Sequence, residues 1–366
     1  MVQNKLHKSF QLNGNSFSNV DELIVYAQNF SKELYPFLKE WFSNKNFITV
    51  QTSGSTGTPK TIQLQKEYVV NSALATGNYF SLPKNTTALL CLPIEYIAGK
   101  LMLVRAITLG WYLDSMQPNS NPLKKVSKEY DFSAMVPLQV ENSMENLHQI
   151  KKLIVGGGVV SNQLQNKLQK VSTKVFATYG MTETITHIAV KKLNDNQNEK
   201  QMSPRAHSRG YFSVLPNVTI YKDERNCLVI EAPKVSREII FTNDIVHLIS
   251  DTQFEWLGRF DNVINSGGIK LHPEKIEEKL SEIIENRFFV AGIADEKLGE
   301  KLVLIVELGS FKASKFQVLL ESKIENLTVL SKFEIPKEIY FTKKFVETET
   351  GKIQRSKTLL KIQTKL

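Results

Sequence analysis

Only two cysteines, Cys91 and Cys227, occur in 366 residues. They are far apart, and neither has a His or Cys neighbour at ligand spacing. This excludes a disulfide framework and a structural zinc site, and leaves two small core residues. Long apolar runs are also missing. The most apolar stretch, Tyr96 to Leu113, is interrupted by Lys100 and Arg105 and is too polar to span a bilayer, so no integral membrane segment is expected. Met1 to Lys8 leads into no apolar run with a small-residue cleavage site, so a cytoplasmic location is expected rather than secretion. No basic tract interleaved with aromatics occurs, which argues against nucleic acid as a partner. The net charge of +9 is spread along the chain over surface-type lysines and reads as a solvated basic surface that also suits polyanionic small molecules.

The composition that remains is that of a globular protein. A 42% hydrophobic content over this length supplies more than one core. Helical and short strand patterns alternate without internal repeat, which favours α/β architecture. Val20 to Trp41 has helical periodicity, with Pro36 the expected break or kink. Ala88 to Pro93 reads as a buried strand and Ile97 to Leu109 as a buried helix. Strands at Lys152–Val155 and Lys174–Ala177 each run into loops of glycines and hydroxyls, at Gly156-Gly157-Gly158 and at Thr178 to Thr184. Ligands of open α/β sheets sit at such carboxyl ends. From about residue 205 to 258 the pattern turns β-rich, with Val218–Tyr221 and Leu228–Glu231 as strands. After Asp261 it becomes a compact α+β unit: helix Pro273–Ile284, strands Phe289–Ile293 and Leu302–Leu308, helix Lys315–Ile324 and a strand near Glu338–Phe341. The expected organisation is a large domain over 1–260 with a β-rich subdomain, and a small mobile domain over 261–366.

Residues 52 to 60 read Thr52-Ser53-Gly54-Ser55-Thr56-Gly57-Thr58-Pro59-Lys60. Such a segment has almost nothing to bury. It offers two glycines for close backbone approach, hydroxyls, N–H groups and one cation, which is the inventory for holding a polyphosphate. Strand patterns on either side make it a tight loop rather than a linker. The spacing is wrong for a P-loop, because two residues rather than four separate the glycines and Pro59 precedes the lysine. A dinucleotide fingerprint fails as well.

The loop resembles, nearly residue for residue, the phosphate loop of the adenylate-forming superfamily of acyl- and aryl-CoA synthetases, luciferases and peptide-synthetase adenylation domains. Further segments match in order over nearly the whole chain. Thr178 to Glu183 resembles the Tyr-Gly-x-Thr-Glu signature, which implies Tyr179 and Gly180 at adenine, Thr182 at phosphate and Glu183 on Mg²⁺, with Thr56 the hydroxyl near that ion. Gly156 and Gly157 lie where relatives pass adenine and the acyl group. Phe241-Thr242-Asn243-Asp244 resembles Thr-Gly-Asp, which implies Asp244 as the ribose ligand, with Asp251 the decoy. Asn243 in the place of glycine is tolerable if the position has φ > 0, where asparagine is the next best residue. The longest match, Gly258 to Glu277, implies Arg259 at the nucleotide, Asp261 as hinge, and Gly267, Gly268 and Lys270 along the pantetheine channel. Thr348 to Arg355 resembles the closing signature, which makes Lys352 the catalytic lysine. The implied cofactors and substrates are ATP, Mg²⁺, coenzyme A and a small-molecule carboxylic acid.

Cys91 to Lys100 corresponds to the family segment that gates the acyl pocket, with Tyr96 at the gate. A cation inside an apolar helix requires a partner, and Lys100, ahead of Arg105, is the expected partner of a second carboxylate on a dicarboxylic acid. In this segment the chain is similar to o-succinylbenzoate CoA ligases of menaquinone biosynthesis; other acyl- or aryl-CoA synthetases, and adenylation modules that load a carrier protein, share the motifs. Only 51 residues precede the phosphate loop. This implies a shortened front and a face that homodimerisation would cover.

Overall fold

The computed structural model describes residues 5–51, 61–194, 210–309, 313–348 and 352–364. The chain opens with β1 (Gln11–Leu12) and β2 (Asn15–Ser16), then two helices, α1 (Val20–Phe30) and α2 (Leu34–Phe42). The expected single helix is therefore two, and the break lies at Ser31–Glu33 rather than at Pro36. Ser31 Oγ accepts from the backbone N–H groups of Glu33 and Leu34 at 3.3 Å each and starts a new helix. Pro36 then falls in the first turn of α2, where a backbone N–H has no intrahelical partner to lose.

The hairpin β3 (Phe47–Gln51) and β4 (Thr61–Gln65) follows, in a register that sets Gln51 opposite Thr61. Gln51 and Thr61, the residues on either side of the hydroxyl-rich segment, thus lie side by side at one end of this hairpin. Next come α3 (Lys66–Tyr79), β5 (Thr87–Leu90), α4 (Ile97–Leu109), β6 (Tyr112–Ser115), β7 (Tyr130–Met135), α5 (Pro137–Asn142), β8 (Ile150–Val155), α6 (Asn162–Leu168), β9 (Lys174–Gly180) and β10 (His187–Lys192). β6, β5, β7, β8 and β9 pair in parallel in that order, and β10 closes antiparallel on β9. Residues of these strands divide between two cores. Leu90, Phe132 and Ile154 join α3, α4 and the front helices, whereas Leu89, Met135, Leu153 and Val155 join α6 and residues after α5. Apolar residues on all sides of α4, Leu101 to Ile107, are buried, as a helix without a polar face requires.

β11 (Phe212–Val214), β12 (Thr219–Lys222), β13 (Cys227–Glu231), β14 (Ile240–Leu248) and β15 (Gln253–Arg259) form the β-rich part. Among the described residues they extend the same sheet through β11 on β10 and carry a core of their own around Phe254, Leu228 and Ile230.

The last unit holds β16 (Ile264–Ser266), β17 (Ile269–Leu271), α7 (Pro273–Leu280), β18 (Phe288–Asp295), β19 (Gly299–Glu307), α8 (Ala313–Glu325), β20 (Glu338–Thr342) and α9 (Arg355–Gln363), built on a separate sheet. Strict alternation along β19 sends Leu302, Leu304 and Val306 into a core with α7 and α8, and Val303 and Ile305 into one with Phe289, Phe345 and α9. Its first helix is shorter than expected, ending at Leu280. No helix among the described residues is long and apolar enough to cross a membrane.

Gly99 shows how closely the acyl-gate segment is packed. A Cβ there would lie 2.2 Å from the carbonyl oxygen and 2.7 Å from the carbonyl carbon of Pro93, backbone atoms that cannot swing aside. Gly99→Ala is expected to lower stability by about 1–3 kcal/mol through this overpacking, read as a lower urea midpoint at unchanged slope.

Candidate active site

β9 ends at Tyr179-Gly180, and the chain must turn at once to return as β10. A Cβ on Gly180 would sit 2.2 Å from the carbonyl oxygen of Thr186, so the crossing of the two strands requires glycine. A single 3₁₀ turn, Thr182–Thr184, follows. Ile185 then adopts φ 64°, ψ −54°, and the Thr186 N–H donates to Thr184 O at 2.6 Å, a γ-turn of the positive-φ kind. A β-branched residue is strained there, and burial of the Ile185 side chain in the main core holds it in place. The turn leaves Glu183 exposed and Thr182 half-buried, and directs Thr186 inward.

Inward of Thr186 lies Arg105, 3% exposed. Its guanidinium donates to Thr76 Oγ1 at 3.3 Å and to Thr186 Oγ1 at 3.0 Å. No carboxylate among the described residues offsets its burial, which pushes the group down to about 10, so it remains a cation at neutral pH. Lys100, the cation expected to matter more, donates instead to the backbone oxygen of Thr49 at 3.0 Å and lies over the Phe37 ring, which ties α4 to β3. Tyr96 is exposed at the start of α4.

Asp244 is the focus of the opposite wall. It is 6% exposed, with Oδ2 accepting from the Tyr179 hydroxyl at 2.7 Å and Oδ1 from the Trp256 indole at 3.2 Å. Arg259 stands 3.7 Å from Oδ1. Burial and the Asp244 charge hold the Tyr179 phenol well above its usual range, so it remains a donor. Each carboxylate oxygen keeps a second lone pair, which leaves acceptor capacity for two hydroxyls of a ligand. The Tyr179 ring is wedged edge-on against Phe254, centroids 5.1 Å apart. Asp251, the decoy, is exposed in the turn before β15.

Asn243 differs from expectation. It has no positive φ, because β14 runs through it as extended strand. Its side chain reaches out and donates from Nδ2 to Asp261 Oδ2 at 3.2 Å. Arg259 also approaches Asp261, at 3.7 Å. Beyond Asp261, Asn262 donates to Glu274 on α7, and Arg355 on α9 grips Glu277, Nη1 to Oε1 at 2.7 Å and Nη2 to Oε2 at 2.8 Å, and nears Glu274 at 3.8 Å. Arg355, three residues after Lys352, is thus linked through α7 to Asn262, the neighbour of Asp261. Lys352 is half-buried, its backbone N–H donates to Thr348 Oγ1, and burial lowers its ammonium below the usual lysine range. Gly267 and Gly268 form the exposed tip of the β16–β17 hairpin at φ 59° and 83°, with Lys270 exposed beside them.

Tyr179, Asp244, Arg259 and Asp261 are therefore joined by direct contacts. Gly156 packs beneath this end of β9, 2.8 Å from Thr178 Oγ1 to its ideal Cβ, and Gly157 sits at φ 80°. Thr52, Ser53, Gly54, Ser55, Thr56, Gly57 and Lys60 lie outside the described residues. Among the described residues no cluster of three or more His, Cys, Asp or Glu could hold a metal by itself. Glu183, exposed and carrying no ion pair among them, fits a Mg²⁺ held mainly by phosphate oxygens and water.

The model of the AMP-binding enzyme family matches residues 11–226, more than half of the chain. The chain belongs to the AMP-binding enzyme family. Among family relatives it is 36% identical to an acyl-CoA synthetase (AMP-forming)/AMP-acid ligase II-like protein from Dyadobacter fermentans, with a TM-score of 0.57 over 90% of this chain and 93% of that one. It is 25% identical to the 2-succinylbenzoate–CoA ligase of Listeria monocytogenes, over 87% of this chain and 71% of that protein. The o-succinylbenzoate coenzyme A synthetase of Bacillus subtilis, solved with ATP and magnesium, shares the fold at a TM-score of 0.71 and 17% identity, over 93% of this chain and 82% of that one.

Sequence reading passed over Trp256 and His187. Trp256 was within reach of it, because strand alternation puts it on one face with the core residue Phe254. His187 gives a pH test. It is 5% exposed, lies beside Arg105, and its Nε2 has no partner among the described residues; burial first and Arg105 second push it down to about 3. The unfolded chain takes up this proton near pH 6.5 and the folded one does not, so stability falls as pH drops from there toward 3. The expected slope from this group is about 1.4 kcal/mol per pH unit. His187→Gln should flatten the acid limb in urea titrations at about pH 7 and about pH 5, whereas an unchanged slope would assign it to another group.

Proposed function

We propose that the protein condenses a carboxylic acid with ATP to an acyl adenylate and pyrophosphate, then passes the acyl group to coenzyme A with release of AMP, and that the acid is o-succinylbenzoate. Family membership supports the reaction class, and the names of the Listeria and Bacillus relatives point to the acid. One observation in this chain carries the dicarboxylate: the Arg105 guanidinium, buried behind the Thr178–Thr186 loop with hydroxyl partners and no carboxylate among the described residues. Arg105 thus takes the place expected of Lys100. An arginine fork is matched to a carboxylate in a way that a lysine is not.

In this reading residues 1–260 bind ATP and acid, and residues 261–366 swing about Asp261. The two oxygens of Asp244 accept the ribose hydroxyls, and Tyr179 and Trp256 hold the carboxylate in orientation for them. Tyr179 and Gly180 face the base, and Gly156 and Gly157 leave room between base and acyl group. The loop from Thr52 to Lys60, with Thr182, holds the phosphates. Mg²⁺, when bound at Glu183 with Thr56, supplies charge neutralisation on those phosphates. Lys352 brings a compact positive charge to the attacking carboxylate and the α-phosphate, where two anions must meet. Rotation then exchanges Lys352 for the Gly267–Gly268 hairpin and Lys270, which would line the path of the incoming thiol.

A second reading keeps the reaction and changes the acid. The Dyadobacter protein, whose name specifies none, favours it. Pyrophosphate release with o-succinylbenzoate, benzoate and a fatty acid separates the two. The first acid should lead, and Arg105→Lys should lower its rate by about 10- to 100-fold while benzoate changes by less than about twofold. Equal losses on both acids would make Arg105 structural. Lys352→Ala should cripple adenylate formation and spare thioester formation from supplied adenylate; adenylation at the wild-type rate would remove Lys352 from the mechanism. Because burial lowers the lysine, adenylation should also fade at a pH below the ordinary lysine range, with the thioester step unaffected.

A further inference from the structure

The hairpin that joins β12 to β13 reaches the hinge. Asp223 fixes its tip, Oδ1 accepting from the backbone N–H groups of Arg225 and Cys227 at 2.9 Å each. Oδ2 of the same carboxylate holds the Arg225 side chain, 2.9 Å from Nε and 2.8 Å from Nη2. Pinned in this way, Arg225 donates to Asn243 Oδ1 at 3.0 Å and to the Thr242 carbonyl at 3.1 Å. Its guanidinium also lies 5.3 Å from the centre of the Phe260 ring. Asn243 in turn donates to Asp261 at 3.2 Å. The proposed hinge Asp261 is therefore held by an amide from the large domain, and Phe260 just before it by a cation on its ring.

We propose that Arg225 and Asn243 are positioning residues, a latch that holds the hinge in the orientation seen here and so sets the balance between the two half-reactions. The inference rests on the two-step reading above. The strand itself does not call for asparagine at position 243, where the resemblance places glycine, because the backbone there is ordinary extended strand. A glycine would have no group to offer Asp261 or Arg225. Exposed polar contacts of this kind contribute little to folding. They matter where two orientations lie close in energy, because the population then follows one or two hydrogen bonds.

The test uses the full chain with Asn243→Gly, Arg225→Lys and the double substitution. Arg225→Lys keeps the charge and loses the fork that reaches Asn243 and Thr242 together. Two readouts are taken: energy transfer between dyes on α6 and α9 without substrates, and the separate rates of pyrophosphate release and of thioester formation from supplied adenylate. Each single variant should shift the energy-transfer distribution away from wild type. Each should also change the ratio of the two rates in one direction by about three- to tenfold, the factor one net hydrogen bond supplies, with KM for ATP within about twofold. The double variant should go no further than the singles, since both break one chain of contacts. Unchanged distributions and ratios, or a change confined to ATP affinity, would overturn the latch and leave Asn243 as support for the Asp244 strand. A wild type that performs neither half-reaction would refute the functional reading, and the energy-transfer shift would still decide for or against the latch.

Discussion

The carboxylate of Asp244 is the point on which the arrangement depends. It is nearly buried, so it must be satisfied, and its donors come from two places: Tyr179 at the end of the parallel sheet, and Trp256 with Arg259 on the neighbouring antiparallel strand. Meeting that one requirement draws β9, β14 and β15 into fixed relation. Tyr179 cannot reach the carboxylate unless β9 ends where it does, and Gly180 and the strained Ile185 turn are what allow it to end there. The same strand that carries Asp244 carries Asn243 on its outer side, and Arg259 is shared between Asp244 and Asp261. Asp244 and Asp261 are thus two ends of one short electrostatic chain.

Much of this could be read from the residues. Strands that end in Gly156–Gly158 and Tyr179–Gly180 were visible because short β-branched runs stop abruptly at glycines, and the last unit was visible because strict alternation along Leu302 to Val306 demands cover on both faces. Helix limits were less legible. The break at Ser31 depends on a hydroxyl that turns back to two backbone N–H groups, and proline, the louder signal, is harmless in a first turn. The register joining β11 to β10 could not be seen at all, since pairing between distant strands leaves no local mark; the β-rich region was legible as a subdomain of the large domain, but not the continuation of one sheet into it.

At the site, residues that stand in a motif were legible and residues that matter through contact were not. Asp244, Arg259 and Asp261 stand in ordered segments with recognisable spacing. Trp256 and Arg225 do not, and their roles exist only once strands and hairpin are in place. The two cations of α4 show the limit of composition. Both stood out in an apolar helix, and Lys100 was preferred; its longer, more flexible stem finds a backbone carbonyl at Thr49, while the planar group of Arg105 is left among hydroxyls in the interior.

The C-terminal sheet has cores of its own on both faces, one under α7 and α8 and another under α9. Such a unit owes none of its internal order to the surface on which it rests. Shape and posture are then separate properties: residues at the seam between the two parts can drift in sequence without endangering either part, and changes there alter timing before they alter structure. Asn243, whose amide reaches Asp261, stands at that seam.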